Sequence, residues 1–391
     1  MTNAHWMLAG SLGLVLYAYA GYPLLLWLRN LKRPRLRPPA PPSLWPTVSI
    51  TIPVYNEEAT IRATLERLLA LDYPAERRQI LVVSDASTDR TDQIVREFAA
   101  RGVELLRVPV RGGKTAAENA ARPYLRGEIV VNTDASILID PKALRTLIVQ
   151  FGDPAVGVAS GRDISVAHMG ESVNVGESRY VAYEMGVRTL ETRGCGIVGA
   201  SGCLYAIRCQ LHMTPVPEAL SRDFAAVLVA RERGYRAVSV ADARCFVPRA
   251  ASLRQEYRRK VRTMARGLQT LFYKRRLLNP FRYGEFAWML FSHKLCRWLV
   301  PWALVGAAGA LVALASDAAW PRWALAVGGV GSLLGILGWL WPEGRRLPRL
   351  LTLSTYVLAT NVAALHAWIS VGRGELSPIW EPTRREPASL P

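Results

Sequence analysis

Apolar residues change their spacing twice along this chain, and each change marks a different kind of element. From His5 to Leu28 the sequence HWMLAGSLGLVLYAYAGYPLLLWL holds no Asp, Glu, Lys or Arg, and about 20 such residues suffice to cross a bilayer as a helix. Between Trp45 and Val247 the pattern becomes that of a globular domain. Residues 47–53, TVSITIP, read as a buried strand, and Ile61, Leu65, Leu68 and Leu69 then share one helical face. Strands are predicted at 79–85, 103–108 and 128–134, with helices at 88–100, 114–125 (interrupted by Pro123) and 141–151. Strands alternating with helices predict an α/β domain on a mostly parallel sheet.

Beyond residue 250 the pattern shifts again. Leu253, Tyr257, Val261, Met264, Leu268 and Leu271 recur at helical spacing among many arginines, the pattern of an amphipathic helix lying in a membrane interface. Residues 299–316 and 323–341 read as further spans, whereas 350–371, with Asn361 and His366, either spans or lies along the interface. The expected organisation is a membrane helix (1–30), a basic proline-rich linker (31–46), the α/β domain (47–250), amphipathic helices (251–297), transmembrane or interfacial helices (298–371) and a tail (372–391). A cleaved signal peptide fits the N-terminal run less well, because no basic region precedes it.

The formal charge of +18 raises the alternative of a nucleic-acid binder. Many of the basic residues flank apolar segments, however, where anionic lipid headgroups satisfy them. No nucleic-acid partner is therefore expected. Arg29, Lys32, Arg33, Arg35 and Arg37 follow the first apolar run, which predicts a cytoplasmic middle domain in a multi-pass inner-membrane protein. Cys195, Cys203, Cys209, Cys245 and Cys296 have no metal-ligand spacing and read as reduced thiols.

In a parallel sheet, ligands bind beyond the carboxyl ends of the strands. Three predicted strands end in PVYNEE, SDASTDRT and NTDAS, acidic loops on one sheet edge that suit a polyhydroxylated ligand. Each alone could be turn or cap chemistry. RGGKTAAEN fails as a nucleoside-triphosphatase loop, since Val108 stands where the first glycine is needed. Gly112, Gly113 and Lys114 still offer amides and an ammonium to a diphosphate at a helix start.

PVYNEEATI, VVSDASTDRT, RGGKTAAEN and NTDASI, in this order, resemble membrane-integrated family-2 glycosyltransferases, the group containing bacterial cellulose and hyaluronan synthases. VGASGCLYAIR resembles their acceptor-side loop and SRDF their acidic catalytic motif, so the resemblance runs from about Val48 to Arg385. It implies a GT-A, Rossmann-like catalytic domain and a hexosyltransferase activity. Pro53, Tyr55, Glu57 and Asp85 would then serve the nucleotide, Lys114 the base or diphosphate, and Asp134 the donor diphosphate and its metal. Gly199, Ser201 and Gly202 would lie on the acceptor side, and Asp223 would be the general base, its alternative being a helix cap. The implied cofactor is magnesium or manganese.

This sequence departs from the family in two places. Ser136 replaces the second aspartate of D-x-D, which implies a cation weakly held and recruited with the donor. The Q-x-x-R-W motif has no evident counterpart, leaving Arg258, Arg259, Lys260 and Arg262, with Arg262 the candidate for the diphosphate. WEPTRR resembles the cellulose synthase gating motif, with Trp380, Thr383 and Arg385 as its aromatic, threonine and basic positions.

The implied function is inverting transfer of a hexose or N-acetylhexosamine from a nucleoside-diphosphate sugar, a UDP-sugar by preference, to a growing polysaccharide at the membrane. Export or an accessory subunit would follow. The alternatives are a single addition to a lipid-linked acceptor, or a catalytically silent membrane scaffold that binds nucleotide sugars.

Overall fold

The computed structural model describes residues 2–34, 39–166, 175–248, 252–342 and 347–375. β1 (Val48–Val54) is buried over its whole length, which is why its sequence is apolar and β-branched on both faces. It lies between β2 (Arg78–Ser84) and β4 (Ile129–Thr133), parallel to both, and β3 (Val103–Arg107) extends the parallel set beyond β2. The buried hydroxyls in this run are satisfied within the sheet. Ser49 donates to Gln79 Oε1 at 2.6 Å and Thr51 to Asn132 Oδ1 at 2.8 Å.

The other half of the sheet is built differently from the simple alternation expected. It contains β5 (Leu138–Ile139), β6 (Val156–Val166), β7 (Leu204–Arg208) and β8 (Arg236–Pro248), in the order β3-β2-β1-β4-β7-β6-β8-β5. β7 enters antiparallel between β4 and β6, whereas β6 and β8 run parallel. The sheet remains mostly parallel, but the reversal of β7 has a consequence for the site. Leu204 pairs with Thr133 at the carboxyl end of β4, so the loop before β7 lands on the same edge as the three acidic loops.

Backbones approach closely where β4 begins. A Cβ on Gly127 would run into Ser49 N and the carbonyl carbon of Val48, so glycine is required at this crossing.

Among the described residues, four helices are long and apolar enough to cross a membrane: Asn3–Asn30, Glu285–Leu314, Trp320–Trp339 and Leu350–Arg373. The second runs without a break through the expected 297/298 boundary. It is continuous because a π-helical segment, Phe291–Cys296, is accommodated within it. The amphipathic helix Leu253–Tyr273 lies between these helices and the sheet domain. Its Ala265 and Leu268 pack on Ala367 of the last helix, and its Thr270 Oγ1 accepts Ser221 N at 2.9 Å.

Candidate active site

The carboxyl ends of β1 and β4, the start of the helix at Lys114, the loop before β7 and the helix Leu253–Tyr273 line a cavity of about 260 Å³. Of the residues singled out from sequence, Glu57, Lys114, Asp134, Ser136, Gly202, Asp223 and Arg262 line it. Lys114 opens the helix Lys114–Ala121 and reaches across the cavity floor. Its ammonium pairs with the Asp134 carboxylate and donates to the Gly202 carbonyl oxygen at 3.1 Å. Burial works against that ammonium, but Asp134, with Glu118 and Asp223, outweighs it, so the Lys114 pKa is raised.

Asp223 sits in the first turn of the helix Arg222–Glu232 and accepts a hydrogen bond from the Ser221 hydroxyl. A Cβ on Gly202 would lie 3.1 Å from Asp223 Oδ2. Glycine at 202 thus lets the loop pass against the carboxylate. Lys114 and Asp223 thus meet at this one glycine, and Asp134 joins them through its pair with Lys114.

Asp85 plays a part that sequence reading did not assign. Its two oxygens accept Gly112 N and Gly113 N, each at 2.8 Å, so these amides serve Asp85 instead of pointing at a diphosphate. A buried carboxylate between β2 and the glycine turn fixes where Lys114 starts its helix. Gly113 has a φ of +89°, a conformation open mainly to glycine. Tyr55 carries the Arg111 guanidinium over its ring at 3.7 Å. Tyr55, Asp85 and the buried Pro53 stand outside the cavity lining, as do Gly199 and Ser201. Trp380, Thr383 and Arg385 lie outside the described residues.

Arg259 of the basic run lines the cavity too, as do Asp163 and Arg266, which sequence reading missed. Asp163 is aimed there by a register shift between Ser160 and Arg162 of β6, since a bulge redirects the side chains that follow it. It accepts Ser201 Oγ at 2.6 Å. Arg266 donates to the Leu220 carbonyl oxygen at 2.6 Å and to Thr115 Oγ1 at 2.7 Å. Its glycine-flanked, charge-rich segment offered no signal separating it from headgroup-binding neighbours.

A hard divalent cation takes several oxygen ligands. Asp134, Asp163 and Ser136 bring oxygens to this cavity. Among the described residues no group of three His, Cys, Asp or Glu side chains is placed to hold a metal. That donor set fits a cation completed by substrate phosphate oxygens, not one held by protein alone.

Comparison with known proteins agrees with this fold. The family model described as Glycosyl transferase family 2 matches residues 49–212. A beta-monoglucosyldiacylglycerol synthase of Synechocystis sp. is 32% identical over 122 residues, 30% of this chain and 26% of that protein. A poly-beta-1,6-N-acetyl-D-glucosamine synthase of Staphylococcus epidermidis is 31% identical over 116 residues, 29% of this chain and 28% of that protein. The matched segment thus spans under a third of each relative's length. Among solved structures, a mannosyltransferase of Pyrobaculum calidifontis in complex with GDP-Man and Mn2+ superposes with a TM-score of 0.72 at 25% identity. The superposition covers 94% of this chain and 99% of that one.

Proposed function

We propose, for a chain that carries a glycosyltransferase family 2 domain, inverting transfer of a hexose or N-acetylhexosamine from a nucleoside-diphosphate sugar to an acceptor presented at a membrane. The observation that carries this reading is that Lys114, Asp134 and Asp223 line one cavity, where Lys114 links Asp134 to the Gly202 loop that passes Asp223.

A sugar hydroxyl is a weak acid and must lose its proton as it attacks. Asp223 takes that proton. The acceptor oxygen bonds to the anomeric carbon from the face opposite the leaving group. The bond from that carbon to the diphosphate breaks, and its electron pair leaves with the nucleoside diphosphate. Lys114 and Arg262 neutralise the charge that develops there. Asp134, with Asp163 and Ser136 nearby, would hold a divalent cation alongside the donor phosphates. Such a cation, when bound, adds further neutralisation of the diphosphate.

The four span-length helices support a multi-pass protein of the inner membrane with its catalytic domain in the cytoplasm. Lengthening a polymer there, with export, accounts for catalytic and apolar parts in one chain. Single addition to a lipid-linked acceptor is favoured by the missing Q-x-x-R-W motif. Product length separates these: a ladder of products supports polymerisation, one added sugar the other.

The test is Asp223→Asn in the purified full chain, with UDP-glucose, UDP-N-acetylglucosamine and GDP-mannose supplied with and without manganese. Removing a general base lowers turnover by about 10²–10⁴-fold, while donor binding persists. Undiminished release of nucleoside diphosphate by the variant sinks the mechanism.

A further inference from the structure

The π-helical segment Phe291–Cys296 lies in the span-length helix Glu285–Leu314, and such widened turns occur often at functional sites. Here the segment turns charged side chains toward the sheet domain. His293 Nδ1 meets Glu191 Oε1 at 2.5 Å, and its Nε2 meets Glu184 Oε1 at 2.6 Å. Arg297 donates to Glu184 Oε2 at 2.5 Å, and Tyr22 donates its hydroxyl to Glu191 Oε1 at 2.6 Å. Both carboxylates are engaged.

Two cations of the same cluster form no ion pair with a carboxylate among the described residues. Arg188 donates to Ser160 Oγ at 3.0 Å and to the Gly199 carbonyl oxygen at 2.6 Å. Lys294 Nζ lies 5.3 Å from the centre of the Phe224 ring, and 3.2 Å from where a Cβ on Gly199 would stand. Among the described residues, the two carboxylates Glu184 and Glu191 thus face three cations, Arg188, Lys294 and Arg297. Cations taken out of water need an anion to complete them.

Position identifies that anion. Phe224 follows Asp223 in sequence, and Gly199 belongs to the loop that sets Gly202 against Asp223. Lys294 is not among the residues lining the donor cavity, where Lys114 and Arg262 already stand for the diphosphate. It is delivered instead by a helix able to cross the bilayer, and it reaches the ring of Phe224, the residue that follows the proposed base. We infer that the acceptor is a membrane amphiphile carrying a phosphate close to its accepting hydroxyl, and that Lys294, with Arg188, holds this phosphate. The inference rests on the transferase reading above and adds the class of acceptor to it.

The experiment uses the full chain with the three donors named above, radiolabelled in the sugar. Phosphatidylcholine vesicles carry either phosphatidylglycerol, with hydroxyls a few bonds from its phosphate, or diacylglycerol, with a hydroxyl and no phosphate. Soluble glycerol phosphate is the third acceptor. Label is expected to enter phosphatidylglycerol about ten- to hundredfold more efficiently than diacylglycerol, the worth of a hydrogen bond to a charged group. Lys294→Gln is expected to abolish that preference through the acceptor KM, and Lys294→Arg to restore most of it.

Equal labelling of the two lipids, or a preference that survives in Lys294→Gln, overturns the inference. Donor hydrolysis with neither lipid labelled overturns it too, leaving the transferase reading intact. Glycerol phosphate labelled as well as the lipid moves the anion off the membrane and overturns the amphiphile. No turnover of any donor by the unsubstituted chain overturns both readings together.

Discussion

Burial pulls single titratable residues of this chain in opposite directions, depending on what faces them. Lys114 is held protonated because Asp134, Glu118 and Asp223 outweigh its desolvation. Glu118, one turn further along the same helix, is fully buried, and burial raises its pKa despite Lys114 and Arg222 nearby. His212 is 2% exposed. Desolvation, and after it the Arg222 and Arg122 guanidinium groups, push its pKa well below the ordinary 6.5. The unfolded chain therefore takes up a proton below about pH 6.5 that the folded chain refuses, so the stability His212 confers is complete above that pH and lost as pH falls toward its lowered value. The melting temperature of the unsubstituted chain is expected to fall more steeply between about pH 7.5 and 5 than that of His212→Gln. Parallel slopes would show that His212 is not the titrating group.

Elements carry the next level of specification, and here the sequence was readable to different depths. β1 to β4 and the helices between them follow from apolar periodicity, because each unit is local and short. The antiparallel entry of β7 was not legible: LYAIR records burial, not the direction of its partner. Asp163 escaped for a related reason, since its aim depends on a register shift between distant strands. Asp134, Lys114 and Asp223 were legible because their motifs are local, whereas Asp85's bonds to the glycine turn needed coordinates. Lys294 had no motif at all; its meaning comes from neighbours distant in sequence. The crossing at Gly127 gives an element-scale prediction. Gly127→Ala forces β4 off β1 and is expected to cost about 1–3 kcal/mol, measured by denaturant unfolding. An unchanged midpoint would mean that the strands tolerate the added methyl group.

At the scale of the whole molecule, the apolar helices are built into the sheet domain. Asn30 Nδ2 donates to the Leu190 carbonyl oxygen at 2.8 Å, Arg33 pairs with Glu285 at 2.7 Å, and the fully buried Tyr22 reaches Glu191. The N-terminal helix, the helix Val175–Arg193 and the helix Glu285–Leu314 thus share one polar seam. Removing a single hydroxyl from it should be felt across the fold, because the hydrogen bond ends on a buried carboxylate. Tyr22→Phe is expected to lower stability by about 1.5–3 kcal/mol, read as a downward shift in the unfolding midpoint of the detergent-purified chain. A shift within experimental scatter would show that Glu191 is satisfied without Tyr22.

The tether from Ser221 N to Thr270 Oγ1 has a geometric consequence. Ser221 precedes Asp223 by two residues, and Thr270 belongs to the helix that packs on the last apolar helix. The height of Asp223 above the last apolar helix is therefore set by the protein, like the stop on a measuring gauge. In the reaction proposed above, an acceptor whose hydroxyl stands too near the acyl chains, or too far from them, misses Asp223 however well its chemistry matches. Headgroup length becomes a selection rule in its own right.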